Sequence, residues 1–246
     1  MRPLALMILL VVTVPFRATA TTVHADAYDA FWLWGGVLPQ AVLDRARTVY
    51  VLQGRVAGWP TPDDAPTLLA QGISVPRIAG RDVWLVYRAQ TLRWPAAAYT
   101  TLLAQLDRWR RASNRVVGVQ IDFDARASFL VEYAAFLRDL RQRLPADCRL
   151  GITGLLDWGA NAEPSAIDAL AGVVDEVVIQ TYQGRRTIVD YQRYLARVAR
   201  LALPFKVGLI QGGEWDAPAY LSASPAFRGY VVFLQNEAGG RAHDDP

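Results

Sequence analysis

Residues 116–124 read Val-Val-Gly-Val-Gln-Ile-Asp-Phe-Asp. The run is β-branched and nearly continuous in apolar residues until it meets its aspartates. That is the pattern of a parallel strand covered on both faces. Side chains alternate along a strand, so Gln120, Asp122 and Asp124 share one face and Val119, Ile121 and Phe123 share the other. Three polar groups on one side of a buried strand are costly unless that side opens on a polar cavity. Amphipathic patterns flank the run. Pro95–Arg111 places Leu102, Leu103, Leu106 and Trp109 at helical spacing, and Phe129–Leu144 does the same with Tyr133, Phe136, Leu137 and Leu140. A strand between two such helices is one step of a βαβ series in a parallel sheet.

The same alternation extends both ways. Strand-like runs fall at Asp29–Trp34, Thr48–Gln53, Asp82–Tyr87, Arg149–Leu155, Glu176–Thr181, Phe205–Ile210 and Gly229–Leu234. Further helical patterns fall at Ser165–Val173 and Thr187–Leu203. Eight strand–helix units in a chain of 246 residues predict a single-domain α/β fold, a (β/α)8 TIM-type barrel at the small end of its size range. An open doubly wound sheet is the alternative, but no glycine-rich phosphate loop follows the first strand. Val56–Arg81, between strands 2 and 3, is rich in Pro and Gly and predicts a long loop or a hairpin rather than a barrel helix.

The ends of the chain read differently. Met1-Arg2-Pro3, the apolar run Leu4–Val14 and Ala18-Thr19-Ala20 form the pattern of a secretory signal peptide over residues 1–20. The expected result is an exported protein, periplasmic or secreted, with no membrane span after cleavage. The barrel domain would occupy 21–240, with 241–246 a frayed polar tail. Cleavage removes Arg2 and Arg17, lowering the net charge from +3 to +1, so nucleic-acid binding is not expected. There is one cysteine, Cys148, and two histidines, His24 and His243, both outside the strands. This disfavours a disulfide, a zinc site or a His-centred triad. No cofactor, no resident metal and no oligomer-forming stripe is predicted, so the expected state is a monomer.

In a barrel the active site lies at the C-terminal ends of the strands. Those ends carry Trp34, Gln53, the Tyr87-Arg88 pair, Gln120, Asp122, Asp124, Asp157, Trp158, Gln180, Tyr182, Gln211, Glu214, Trp215, Gln235 and Glu237. The N-terminal ends carry no comparable set in the sequence. Amides and carboxylates suit sugar hydroxyls, and indole rings suit sugar C–H faces. A carbohydrate is therefore the expected ligand, with Asp122 and Asp124 as paired carboxylates for acid catalysis.

Val117–Asp124, VGVQIDFD, resembles the DGIDIDWE signature of family 18 chitinases. The resemblance makes Asp124 the catalytic acid and Asp122 the carboxylate that orients the substrate's acetamide. Gln180-Thr181-Tyr182-Gln183 resembles the family's MTYD, which makes Tyr182 the supporting hydroxyl. The motifs YDAFWLWGG, VQIDFDA, GITGLLDW and VVIQTYQG are similar to those of a family of uncharacterised secreted bacterial proteins with such a barrel. Four positions depart from the chitinase pattern: Asp124 stands for Glu, Gln120 and Gln183 for Asp, and Val117 for the first Asp. Asp124 reaches about 1.5 Å less far than a glutamate would. Three functions remain open on the sequence: a glycoside hydrolase, a non-catalytic sugar-binding barrel built on Trp34, Trp158, Trp215 and Tyr182, and a carboxylate-metal hydrolase. In the first, the second carboxylate is Asp122, Asp157, Glu214 or Glu237.

Overall fold

The structure is a computed structural model that describes residues 20–57, 66–200 and 203–236. Residues 1–19 of the segment expected to be a signal peptide, Glu237, His243 and the tail lie outside the described residues.

Eight parallel strands close into a barrel. They are β1 (Ala30–Leu33), β2 (Thr48–Ala57), β3 (Asp82–Ala89), β4 (Arg115–Asp122), β5 (Arg149–Leu155), β6 (Glu176–Gln180), β7 (Phe205–Ile210) and β8 (Phe227–Phe233). Each pairs with its sequence neighbours, and β8 pairs back onto β1. Every predicted run is a strand, so the (β/α)8 reading holds. The main helices are α1 (Ala96–Arg111), α2 (Leu130–Arg143), a short α3 (Trp158–Asn161), α4 (Pro164–Ala171), α5 (Tyr191–Val198) and α6 (Ala219–Ala223). The predicted helix Thr187–Leu203 is shorter than its apolar pattern. Asp190 sits at φ 58°, in the left-handed region, and the helix starts after it. Thr187 belongs instead to a two-residue strand, Arg186–Thr187, paired with Tyr182–Gln183.

The irregular segment after β2 is a hairpin. Thr67–Ala70 runs antiparallel to Gly54–Ala57, the extension of β2. Here β2 carries a bulge between Leu52 and Gly54, so that both Gln53 and Gly54 face Tyr87 of β3. The bulge reverses the alternation beyond it.

Alternation divides the core in two. Outward residues such as Val49, Val51, Leu85, Val119, Ile121, Ile152 and Ile179 pack under the helices. Inward residues Trp32, Tyr50, Leu52, Trp84, Val86 and Val178 fill the barrel. Two indoles dominate that interior, and glycines make room for them. A Cβ on Gly118 would come within 2.5 Å of the Trp84 ring, and one on Gly208 within 2.9 Å of the Trp32 ring.

Below the indoles lies a polar set that the sequence reading did not anticipate at the N-terminal ends. Tyr50 Oη donates to Glu176 Oε1 at 2.5 Å and accepts from Lys206 Nζ at 2.9 Å. Lys206 Nζ also pairs with Glu176 Oε2 at 2.9 Å. The Tyr50 ring stacks on Trp84, with centroids 5.7 Å apart. Burial and the Glu176 carboxylate push the Tyr50 hydroxyl well above its ordinary range. Cys148, just before β5, is fully buried, and burial pushes its thiol up to about 11. It is inert packing, as its position implies. Among the described residues no helix is long and apolar enough to cross a membrane.

Candidate functional site

The barrel mouth is built from β4 outward. Gln120 is fully buried, and its Oε1 accepts from Trp32 Nε1 at 2.7 Å. An indole N–H can only donate, which fixes the amide's orientation. Its Nε2 has no hydrogen-bond partner among the described residues. Two residues on, Asp122 is 8% exposed. Its Oδ1 accepts from Thr153 Oγ1 at 2.9 Å, while that hydroxyl accepts from the Phe123 N–H at 3.2 Å. Thr153 is thus locked as a donor to Asp122. Burial pushes the Asp122 carboxyl up to about 6. The Thr153 hydrogen bond opposes this, the charge of Asp124 adds to it, and Arg88 opposes it.

After Asp122 the chain turns sharply: the Ala125 N–H donates to Phe123 O at 2.7 Å, with Asp124 at the apex. Asp124 is exposed and forms no hydrogen bond or ion pair among the described residues. Asp157 and Trp158 hold this turn. Trp158 Nε1 donates to Ala125 O at 2.7 Å, and Asp157 Oδ2 accepts from the Ala127 N–H at 3.1 Å. Both were read as ligand-facing. Trp158 is instead buried against Gly154 on the outer side of the sheet, and it positions the loop that carries Asp124.

Tyr182 lies across the mouth. Burial, then the charges of Asp122 and Asp124, push its hydroxyl well above the usual tyrosine range. The two aspartates and the tyrosine therefore share one electrostatic neighbourhood. Tyr182 packs on Phe233 with centroids 5.9 Å apart, and Phe233 packs edge-on against Trp34 at 5.4 Å. The Arg88 guanidinium covers the Trp34 ring at 5.2 Å. Gln180, two residues past inward-facing Val178, points to the same side.

The remaining predicted residues go elsewhere. Gln53 is the bulged residue and points outward. Its Oε1 accepts from Trp109 Nε1 at 2.6 Å, and its Nε2 donates to Leu52 O at 2.8 Å. Gln211 and Gln40 exchange side-chain hydrogen bonds at 3.2 and 3.0 Å, and Gln211 Oε1 accepts from the Gln235 N–H at 2.9 Å. Gln211 and Gln235 therefore seam the rim together. Trp215 is buried, stacked on Tyr191 at 4.7 Å, and is no platform. Glu214 is exposed in a short pairing with Thr21–Thr22. Sequence reasoning missed Thr153 and Phe233 as site residues, and gave Arg88 no role. Alternation could have found Thr153, since Gly151, Thr153 and Leu155 share a face.

Two other hollows lie away from the mouth. One, of about 360 Å³, lies at the opposite end of the barrel beside Asp26, Tyr28, Asp29, Arg45 and Tyr230. The other is a narrow apolar gap between the barrel and α5, beside Trp158 and Val198. Neither holds paired free carboxylates. Among the described residues no group of three or more His, Cys, Asp or Glu side chains is placed to hold a metal ion.

Residues 88–209 match the family described as Domain of unknown function (DUF3142). That stretch runs from Arg88 through the whole Asp122–Tyr182 region. No curated protein matches the chain in sequence. Solved structures do match in fold. The Bacillus cereus spore cortex-lytic enzyme SleL aligns with a TM-score of 0.52 and 17% identity, over 74% of this chain and 49% of its own. The chain thus spans about half the length of SleL. The xylanase-alpha-amylase inhibitor protein XAIP-I, solved in complex with trehalose, aligns at 0.53 and 11% identity, over 83% of this chain and 92% of its own. XAIP-II from Scadoxus multiflorus aligns at 0.51 and 13% identity, over the same shares. At these identities the likeness is one of fold alone: an eight-stranded barrel that an enzyme and inhibitor proteins share.

Proposed function

We propose that the barrel mouth binds a glycan outside the cytoplasm and hydrolyses a glycosidic bond there. The observation that carries this is Asp122. It is a buried carboxyl held by Thr153, raised to about 6, beside exposed Asp124 and facing Tyr182. Acid–base catalysis needs carboxyl groups whose environments differ, with one able to hold a proton near neutrality. The proton that Asp122 holds near neutrality passes by way of Asp124, open to solvent at its turn, to the leaving oxygen, while a water attacks the anomeric carbon as the glycosidic C–O bond breaks and its proton returns to the carboxylate pair. Asp122 orients the substrate from behind, and the Tyr182 hydroxyl supports it. Trp34, Phe233 and Tyr182 supply the aromatic surface on which a sugar ring packs.

The test is release of reducing ends from a panel of polysaccharides by the purified protein. Asp124→Asn and Asp122→Asn are each expected to lower the rate at least about 10²-fold. The wild-type pH–rate profile should carry a limb near pH 6 that Asp122→Asn abolishes. Turnover unchanged in Asp124→Asn removes that residue from the chemistry.

The short reach of Asp124 favours a second reading, a sugar-binding barrel without turnover. Calorimetric binding with no release of reducing ends, weakened about tenfold by Trp34→Ala, selects it. A carboxylate-metal hydrolase would need a third ligand beside Asp122 and Asp124, and the described residues place none there.

A further inference from the structure

The wall of the mouth formed by β2 and β3 carries two arginines that nothing in the hydrolytic scheme uses. Arg55 and Arg88 are register partners on neighbouring strands. Strands lie about 4.8 Å apart, so two guanidinium-bearing side chains rise side by side from one face. Both residues are half-buried. Neither guanidinium makes a hydrogen bond or an ion pair with any described residue, although eight ion pairs form among the described residues. The Arg88 guanidinium lies over the Trp34 ring, and Arg88 adjoins Asp122 in the β3–β4 register, where its charge acts on that carboxyl.

The bulge in β2 is what brings the pair together. Leu52 faces the barrel interior, so simple alternation would send residue 55 outward under the helices. The extra residue, Gln53, shifts the phase by one and turns Arg55 onto the face of Arg88 and Asp122. Gln53 is anchored for that task by Trp109 and by the carbonyls of Leu52 and Ile73. Bulges recur beside binding sites because they re-aim a side chain.

Like charges set side by side repel, and guanidinium groups left without acceptors forgo their strongest hydrogen bonds. An anion between them relieves both. Two planar forks, one already stacked on an indole, fit an oxyanion carried by a sugar ring. We infer that Arg55 and Arg88 select an acidic glycan, placing its carboxylate or sulfate on the β2–β3 wall while the neighbouring sugar packs against Trp34. This rests on the glycan-binding reading of the same mouth and names its substrate class.

The experiment compares binding of the purified chain to three oligosaccharides of similar length: a neutral xylo-oligosaccharide, an oligogalacturonate and a sulfated carrageenan oligosaccharide. Isothermal calorimetry is run at low and at physiological salt. One acidic ligand is expected to bind at least tenfold more tightly than the neutral one, and which one it is separates carboxylate from sulfate. Arg55→Gln and Arg88→Gln should each cut that preference about tenfold. Arg88→Lys, which keeps the charge and loses the fork, should not restore it. Thermal unfolding checks that each variant is folded. The wild type binding neutral and acidic chains equally overturns this inference and leaves the glycan reading standing. A preference that survives both Arg→Gln changes overturns it as well. Binding to none of the three, nor to the wider polysaccharide panel, sinks both.

Discussion

The two ends of the barrel interior treat polar groups in opposite ways. At the N-terminal end, Tyr50, Glu176 and Lys206 satisfy one another, with every contact at 2.9 Å or less. At the mouth, the side chains of Arg55, Arg88, Asp124 and Gln180 make no hydrogen bond or ion pair with described residues, and the Gln120 amide nitrogen lacks a partner. Trp32 and Trp84 lie between the two sets. A buried polar group is costly when unpaired, so a self-satisfied cluster reads as structure and an unsatisfied one as a place for a ligand. One fold thus holds a closed polar floor and an open polar mouth.

The contrast can be broken most severely from below. Lys206→Met leaves buried Glu176 with the Tyr50 hydrogen bond but no counter-charge, and it should cost about 3–5 kcal/mol in urea unfolding, or about 10 °C in Tm. Adding Glu176→Gln should return most of the loss. A loss under about 1 kcal/mol would show that the floor is solvated and no different from the mouth.

The opposite sign is expected from the mouth. Asp122 holds its proton more tightly folded than unfolded, at about 6 against 3.8. Its contribution is therefore fully favourable below pH 4 and is lost as the pH rises through 6. At about 1.4 kcal/mol per pH unit, that is roughly 3 kcal/mol. Asp122→Asn should be more stable than the wild type at pH 7 by up to about that amount, with the gap closing by pH 4. Parallel stability curves for the two proteins would refute it. The smallest effect belongs to neither region. Arg111–Asp107 is an exposed i,i+4 pair at 3.1 Å on α1, and Asp107→Asn should change stability by no more than about 0.5 kcal/mol.

Most of this barrel is written in local pattern. All eight strands were legible because parallel strands buried on both faces leave continuous apolar runs. The strand-4 carboxylates were legible because alternation sets Gln120, Asp122 and Asp124 on one face. What the sequence hides is whatever depends on phase or on a distant partner. Gln53 looks like a strand-end amide, yet the bulge makes it an outward anchor and makes Arg55 the inward residue. Trp158 and Trp215 look like sugar platforms, yet each finds a buried seat outside the barrel. Lys206 shows nothing in sequence of its tie to Tyr50, 156 positions away.

Lys206 is also the only lysine in the chain. It lies inside the floor, with its side chain 16% exposed and its ammonium held by two oxygens. An amine-directed dye or cross-linker therefore has one side-chain target in the chain, and the folded barrel shields it. Labelling of Lys206 begins when the floor opens. The rate at which a mass label appears on its peptide is a built-in clock for barrel opening, and no probe has to be engineered to read it.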